Sequence, residues 1–168
     1  MSSGTLPPQV QGSRTHKEGR EFWGPHLWYL FHTFSANIDL NPDTVIMWQQ
    51  FFKATLSVMN CDRCKKHFSD ALGPINIGKL SNKDLRIFLF NQHNTISKSL
   101  AKPTFIYESL DTYNLPLEDE ERKPHLQKIE QTIETLYHKF ITYEQSRQIQ
   151  AFTAGNWRII ALRFIARL

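Results

Sequence analysis

Cysteine is nearly absent from this chain: two in 168 residues, Cys61 and Cys64. Two cysteines cannot build a disulfide scaffold, so the fold does not depend on covalent staples. Long hydrophobic runs are missing as well. Nothing approaches the roughly 18 apolar residues that a membrane span needs. The first twenty residues, Met1 to Arg20, are rich in Ser, Gly, Pro and charge, and they contain no apolar core of a secretory signal. A soluble protein without signal peptide or transmembrane span is therefore expected. The net charge of +4 and pI near 9.1 are a mild basic bias. The dense basic run with interleaved aromatics that marks a nucleic-acid binder does not occur, so no nucleic-acid partner is expected. Alternating strand patterns of useful length are also lacking.

What the chain has is aromatic bulk and helical periodicity. Twelve Phe, five Tyr and four Trp can supply a core or the walls around a flat ligand. Residues 1–19 read as a disordered arm. Order is expected from about Glu21, where Trp23, Leu27, Leu30, Phe31, Phe34 and Ile38 recur at helical spacing and mark a first helix ending near Asn37. Asn41-Pro42 pairs a cap residue with proline at the first helical position. It opens a second helix whose face carries Val45, Trp48, Phe52, Leu56 and Met59. A third helix from about Cys61 aligns Cys64, Phe68, Ala71 and Leu72 and stops at Gly73-Pro74. Ser81 and Asp84 form a capping-box pattern. They begin a fourth helix, with Leu85, Phe88, Leu89, Ile96 and Leu100, that runs to about Ala101 and ends at Lys102-Pro103. Four helices on short connections predict an all-α bundle. Residues 111–124, polar and holding the acidic run Glu118–Glu121, read as a linker. Beyond it, Leu126, Ile129, Ile133, Leu136 and Phe140 mark a long helix. Gly155 punctuates, and a last apolar stripe runs from Trp157 to Leu168. This C-terminal extension, 116–168, has no evident role in the sequence. Its last stripe, flanked by Arg158, Arg163 and Arg167, is expected to pack on protein, with a membrane surface as the competing reading.

The chemistry starts at Cys61-Asp62-Arg63-Cys64. A cysteine at a helix N-terminus lies near unpaired amide donors and the positive dipole end, which favour thiolate. Arg63, Lys65 and Lys66 add positive charge, and the two-residue gap permits a disulfide within one turn. That suits thiol–disulfide exchange. Two alternatives stay open at this level. The cysteines can simply be buried, or Cys61, Cys64 and His67 can be three ligands of a zinc-stabilised helical adaptor, with His93 a conceivable fourth. A flavin-free CxxC oxidoreductase of the thioredoxin kind would want strands around the motif, and the flanks here are helical.

The flanking helices carry further polar and aromatic groups. Trp28 and His32 are four apart and share a helix face. His93, Asn94 and Ser97 lie together on the fourth helix, and Lys102 and Phe105 follow its end. Together they offer a ring to stack on, imidazoles and amides for hydrogen bonds, and a cation for a phosphate. Spacing alone does not name the ligand.

In order and spacing, Trp23-Gly24-Pro25-His26-Leu27-Trp28, His32, Cys61-x-x-Cys64 and His93-Asn94-x-Ile96-Ser97-x-x-Leu100-x-Lys102-Pro103-x-Phe105 resemble the Erv/ALR family of FAD-linked sulfhydryl oxidases. The likeness covers about residues 20–110, and its WGP opening looks most like the small enzymes of large DNA viruses. The resemblance implies a four-helix bundle with a short fifth helix, spanning about 20–115 and binding FAD at one end. It implies catalytic Cys61 and Cys64, the first attacked by substrate and the second next to the flavin, and no metal. By the same likeness, Gly24, Trp28, His32, His93, Asn94, Ser97, Lys102 and Phe105 would contact FAD. Electrons would pass from a dithiol-containing substrate or relay protein to FAD and then to oxygen, giving hydrogen peroxide. A homodimer is implied too, and a viral origin would place the protein in host cytoplasm or virion. Three departures stand out. Phe90 and Tyr107 occupy positions where many members carry a structural disulfide, and Ser97 replaces an asparagine. There is also no second, shuttle CxxC, so a partner thiol has to reach Cys61 directly.

Overall fold

Asn41 caps the second helix as its sequence indicates. Its side-chain oxygen accepts from the Asp43 and Thr44 amides at 3.0 Å, while the Thr44 hydroxyl takes the Asn41 amide at 2.8 Å. Ser81 and Asp84 exchange the same pair of bonds at the start of the fourth. Such reciprocal caps satisfy the orphan amides of a first turn and fix where each helix begins. The computed structural model describes residues 14–59, 61–147 and 152–168, the side chains of 14–22 and 143–147 excepted. Among these residues the structure is all-α, in chain order α1 (Arg14–Asn37), α2 (Pro42–Val58), α3 (Asp62–Leu72), α4 (Asn82–Ser99), α5 (Asp119–Arg147) and α6 (Phe152–Ile165). Short 3-10 segments occupy Ile77–Lys79 and Tyr107–Tyr113.

Several boundaries differ from the sequence reading, each for a local reason. The α1 helix begins at Arg14, seven residues before Glu21, so the arm expected over 1–19 is helical from Arg14; residues 1–13 lie outside the described residues. The linker expected over 111–124 shrinks to a few residues after Tyr113, because the acidic run lies in the first turn of α5, where carboxylates favour the positive helix end. The short fifth helix takes 3-10 form at Tyr107–Tyr113. Gly155 interrupts nothing and sits inside α6. One glycine costs a helix about 1 kcal/mol, which tertiary packing outweighs.

The core explains why α2 carries more aromatics than one face needs. Phe52 turns toward Phe31 of α1 and Phe68 of α3, with ring centroids 5.6 Å away in each case. Phe51 and Trp48 meet Phe164 of α6 at 5.0 and 5.1 Å, and Phe34 of α1 stacks on the same ring at 4.7 Å. Trp157 of α6, fully buried, donates its indole N–H to the buried Thr55 hydroxyl at 3.1 Å. The α5 helix lays Ile129, Ile133, Leu136 and Phe140 into the same core, and Phe140 meets Trp157 edge-on. The apolar stripe of α6 thus faces protein, as expected. None of the described helices is long and apolar enough to cross a membrane.

Candidate active site

Against that aromatic core, with Phe31 and Phe68 in the shared wall, α1, α3 and α4 leave a cavity of about 290 Å³. Cys61 is the N-cap of α3, and its sulfur accepts from the Cys64 amide at 3.2 Å. The two cysteines are joined by a disulfide, with Cα atoms 5.2 Å apart. Cys61 is only 4 % exposed, whereas Cys64 is half-buried and stands in the cavity wall. Both sulfurs are spent in this bond, which removes two ligands from the zinc reading. Among the described residues, no three metal-ligating side chains converge.

Of the residues singled out in the sequence, Gly24, Trp28, His93, Ser97 and Lys102 line the cavity with Cys64. His32, Asn94 and Phe105 stand behind it. His32 is 1 % exposed, and its Nε2 shares a proton with His93 Nδ1 across 2.9 Å, while its own Nδ1 has no partner among the described residues. Burial disfavours the charged imidazole at both rings. It pushes His32 down to about 3, helped by the neighbouring His93 and Arg86, and His93 down to about 4. The Trp28 indole stacks on His93 with planes 4° apart and centroids 4.5 Å apart. Asn94 spends its amide on the Phe105 backbone, donating to the carbonyl at 2.9 Å and accepting the N–H at 3.1 Å.

Lys102 reaches the cavity through the end of α4. Ala101 adopts φ +54, the left-handed region. The Lys102 amide then bonds the Ser97 carbonyl at 2.9 Å and the Ala101 amide bonds Lys98 at 3.1 Å. This pair is the Schellman pattern, here with alanine where glycine is usual. At the two positions where the resemblance implies a cross-link in many members, Phe90 meets Tyr107 edge-on at 5.7 Å, and Phe90 meets Phe105 at 5.1 Å, so ring packing joins α4 to the following segment.

Sequence reasoning missed most of the apolar wall: Trp23, Leu27, Phe31, Met59, Phe68, Ile96 and Leu100. Their periodicity marked them as core, and a ring-walled cavity and a core share that pattern. Tyr113 was missed for a different reason, because it fell in the segment read as linker.

The profile of the Erv1 / Alr family matches residues 25–116, more than half of the chain. The chain belongs to the Erv1 / Alr family. An Invertebrate iridescent virus 3 protein named "Putative FAD-linked sulfhydryl oxidase 096R" is 24 % identical over 105 residues, covering 60 % of this chain and 71 % of that protein. No solved structure matches. The matched span contains the disulfide and all the cavity residues except Trp23 and Gly24, which immediately precede it.

Proposed function

We propose that this Erv1 / Alr member is an FAD-dependent sulfhydryl oxidase that forms disulfides in a partner protein, with oxygen as final acceptor and hydrogen peroxide as product. One observation carries the reading: Cys64 of the redox-capable disulfide stands in the wall of a ring-lined cavity with Trp28, Phe31, Phe68 and His93. The name of the iridescent virus relative agrees with it.

The residues present fit a flavin. At about 290 Å³ the cavity is near the lower end of the roughly 300–1,000 Å³ seen for small-molecule sites. That volume would suit the flat ring system. Gly24, Trp28, His93 and Ser97 would hold the ring and sugar, and Lys102 would supply the cation for the pyrophosphate. His32, Asn94 and Phe105 would act by holding those groups. Bound there, FAD would accept the electron pair of the dithiol and pass it to dioxygen.

The protein's own part is the thiol exchange. A substrate thiolate attacks Cys61 Sγ, the disulfide breaks, and its electron pair leaves on Cys64 at the cavity wall. The substrate's second thiol then attacks the mixed disulfide and expels Cys61 as thiolate, which the Cys64 N–H stabilises. The substrate leaves oxidised and the Cys61/Cys64 pair reduced. Because Cys61 is so little exposed, a thiol on an extended segment suits it better than one on a broad folded face. Among the described residues, the cavity side chains all come from 20–115 and none from 116–168, whose helices pack on α1 and α2. The homodimer that the resemblance implies has to use surfaces other than those α5 and α6 cover on α1 and α2.

Purified protein is expected to show the visible absorbance of bound flavin and to consume oxygen with dithiothreitol. Cys61→Ser and Cys64→Ser are each expected to abolish that consumption while retaining flavin. Normal turnover in either variant refutes the assigned roles, and colourless protein holding stoichiometric zinc refutes the oxidase.

A further inference from the structure

The segment from Phe105 to Leu115 is held at both ends by asparagine side chains, and only one of them belongs to a motif noted in the sequence. Asn94 takes both backbone groups of Phe105. Asn37, the last residue of α1, makes three bonds. Its Nδ2 donates to the Thr33 carbonyl at 2.7 Å and to the Tyr113 carbonyl at 2.8 Å, and its Oδ1 accepts the Leu115 N–H at 2.8 Å. Both protons of the amide are thereby used, and Asn37 is locked to its own helix while gripping the segment 76 residues on. Between the two grips, Arg86 donates to the Leu110 carbonyl at 3.3 Å, and Leu110 is buried. The one residue of this stretch that reaches the cavity is Tyr113. Its ring lies 4.9 Å from His32 and 6.4 Å from Tyr29, over which Lys128 of α5 stands at 4.7 Å.

We propose that residues 105–115 form a preset wall of the flavin cavity, clipped at one end by Asn94 and at the other by Asn37, and that this wall delivers Tyr113 to the cofactor. Asn37 and Asn94 are positioning residues, and Tyr113 is a cofactor-facing residue. The physical logic is preorganisation. A 3-10 segment has weak internal hydrogen bonding, so free in solution Tyr113 would sample many positions. Two bidentate amides remove that freedom before the ligand arrives, and binding does not then bear the ordering cost. The inference rests on the flavin reading of the cavity.

The test uses the full chain, with FAD as the probe. Removal of the Tyr113 ring in Tyr113→Leu is expected to weaken FAD binding about tenfold, the scale of one aromatic contact. Asn37→Ala is expected to weaken it similarly. The double variant is expected to be no weaker than either single one, because Asn37 acts through Tyr113. Amide exchange supplies a readout that needs no cofactor. Asn37→Ala should deprotect Leu115 and leave Phe105 protected, while Asn94→Ala should do the reverse. Asn37→Asp keeps the acceptor for Leu115 and loses both donors, and is expected to fall between wild type and Asn37→Ala should the alanine variant fold poorly. Fully additive losses, or unchanged affinity in Tyr113→Leu, overturn this inference and leave the oxidase reading standing. A wild-type chain that takes up no FAD overturns both.

Discussion

Two regions of this molecule are held by different mixtures of rings and polar bonds. Where α5 and α6 lie against α1 and α2, the chain is held by interlocked rings: Phe34, Trp48, Phe51, Trp157 and Phe164 are all fully buried and touch one another. Around the cavity, ring contacts such as Trp28–His93 and Phe31–Phe68 are joined by polar holds: the His32–His93 bond, the Asn94 and Asn37 grips and the Schellman turn at Ala101. The family match ends at residue 116, so Trp157 and Phe164, which complete this ring cluster, lie outside it. The comparison teaches a division of labour. A cavity that is to take the proposed cofactor cannot be filled with side chains, and α5 and α6 supply burial that the cavity forgoes.

Breaking the ring-packed end should give the largest change in stability. Trp157→Ala removes a fully buried indole and leaves the Thr55 hydroxyl without its donor. It is expected to cost about 3–5 kcal/mol, read as a fall of roughly 10 °C in melting temperature. Thr55→Val leaves the indole N–H unpaired in the core, which should cost about 1–3 kcal/mol. If both variants melt like wild type, α6 is not part of the core and the division fails. At the cavity end the ranking should invert. Trp28→Leu is expected to weaken FAD binding at least about tenfold, while its melting temperature without added cofactor falls far less than that of Trp157→Ala. Fluorescence titration with FAD beside thermal melts separates the two effects.

How much of this was legible follows from what each signal reports. Periodicity placed α2, α3 and α4 within a residue or two, because Asn41-Pro42, Cys61 and Ser81 are local caps whose chemistry acts within one turn. It also marked Trp157, Ile160 and Phe164 as an inward stripe, but not that Phe51 on α2 awaits them. Phe51 lies off the stripe drawn from Val45 to Met59, and it is buried between Phe31 and Phe34 of α1 and Trp157 and Phe164 of α6. The cavity side chains on α1 and α4 were legible through Trp28, His93, Ser97 and Lys102. That His32 and Asn94 stand one layer behind was not, because a motif records which residues are needed and not which one touches the ligand. Tyr113 carried no signal at all; its place depends on a grip from Asn37, far away in the chain.

The polar end also predicts a pH response of its own. An imidazole whose folded value is lowered binds its proton in the unfolded chain first. As pH falls through about 6.5 the unfolded state gains protons on His32 and His93, while the folded state waits until about 4 for His93 and about 3 for His32. Stability present above pH 6.5 is therefore lost progressively across that window. His93→Gln, with nothing to titrate, should flatten part of the slope in melts taken between pH 7 and 4. An unchanged slope means that His93 takes up its proton freely in the folded protein.

The smallest expected effect tests whether the cavity end is held against backbone preference. Ala101 carries a side chain in the left-handed region, at φ +54, so that the chain can turn Lys102 back toward Ser97. For a residue with Cβ that conformation costs roughly 1–2 kcal/mol. Glycine removes the clash and gives back part of the gain through the greater entropy of its unfolded state, about 0.5–1 kcal/mol. Ala101→Gly is therefore expected to raise stability by under about 1 kcal/mol, within the range of favourable caps, with FAD affinity unchanged because the Lys102–Ser97 bond persists. A destabilised Ala101→Gly would mean that the alanine methyl makes a contact worth more than the strain. The contrast between the two ends would then narrow, since packing as well as polar bonding would hold the cavity turn.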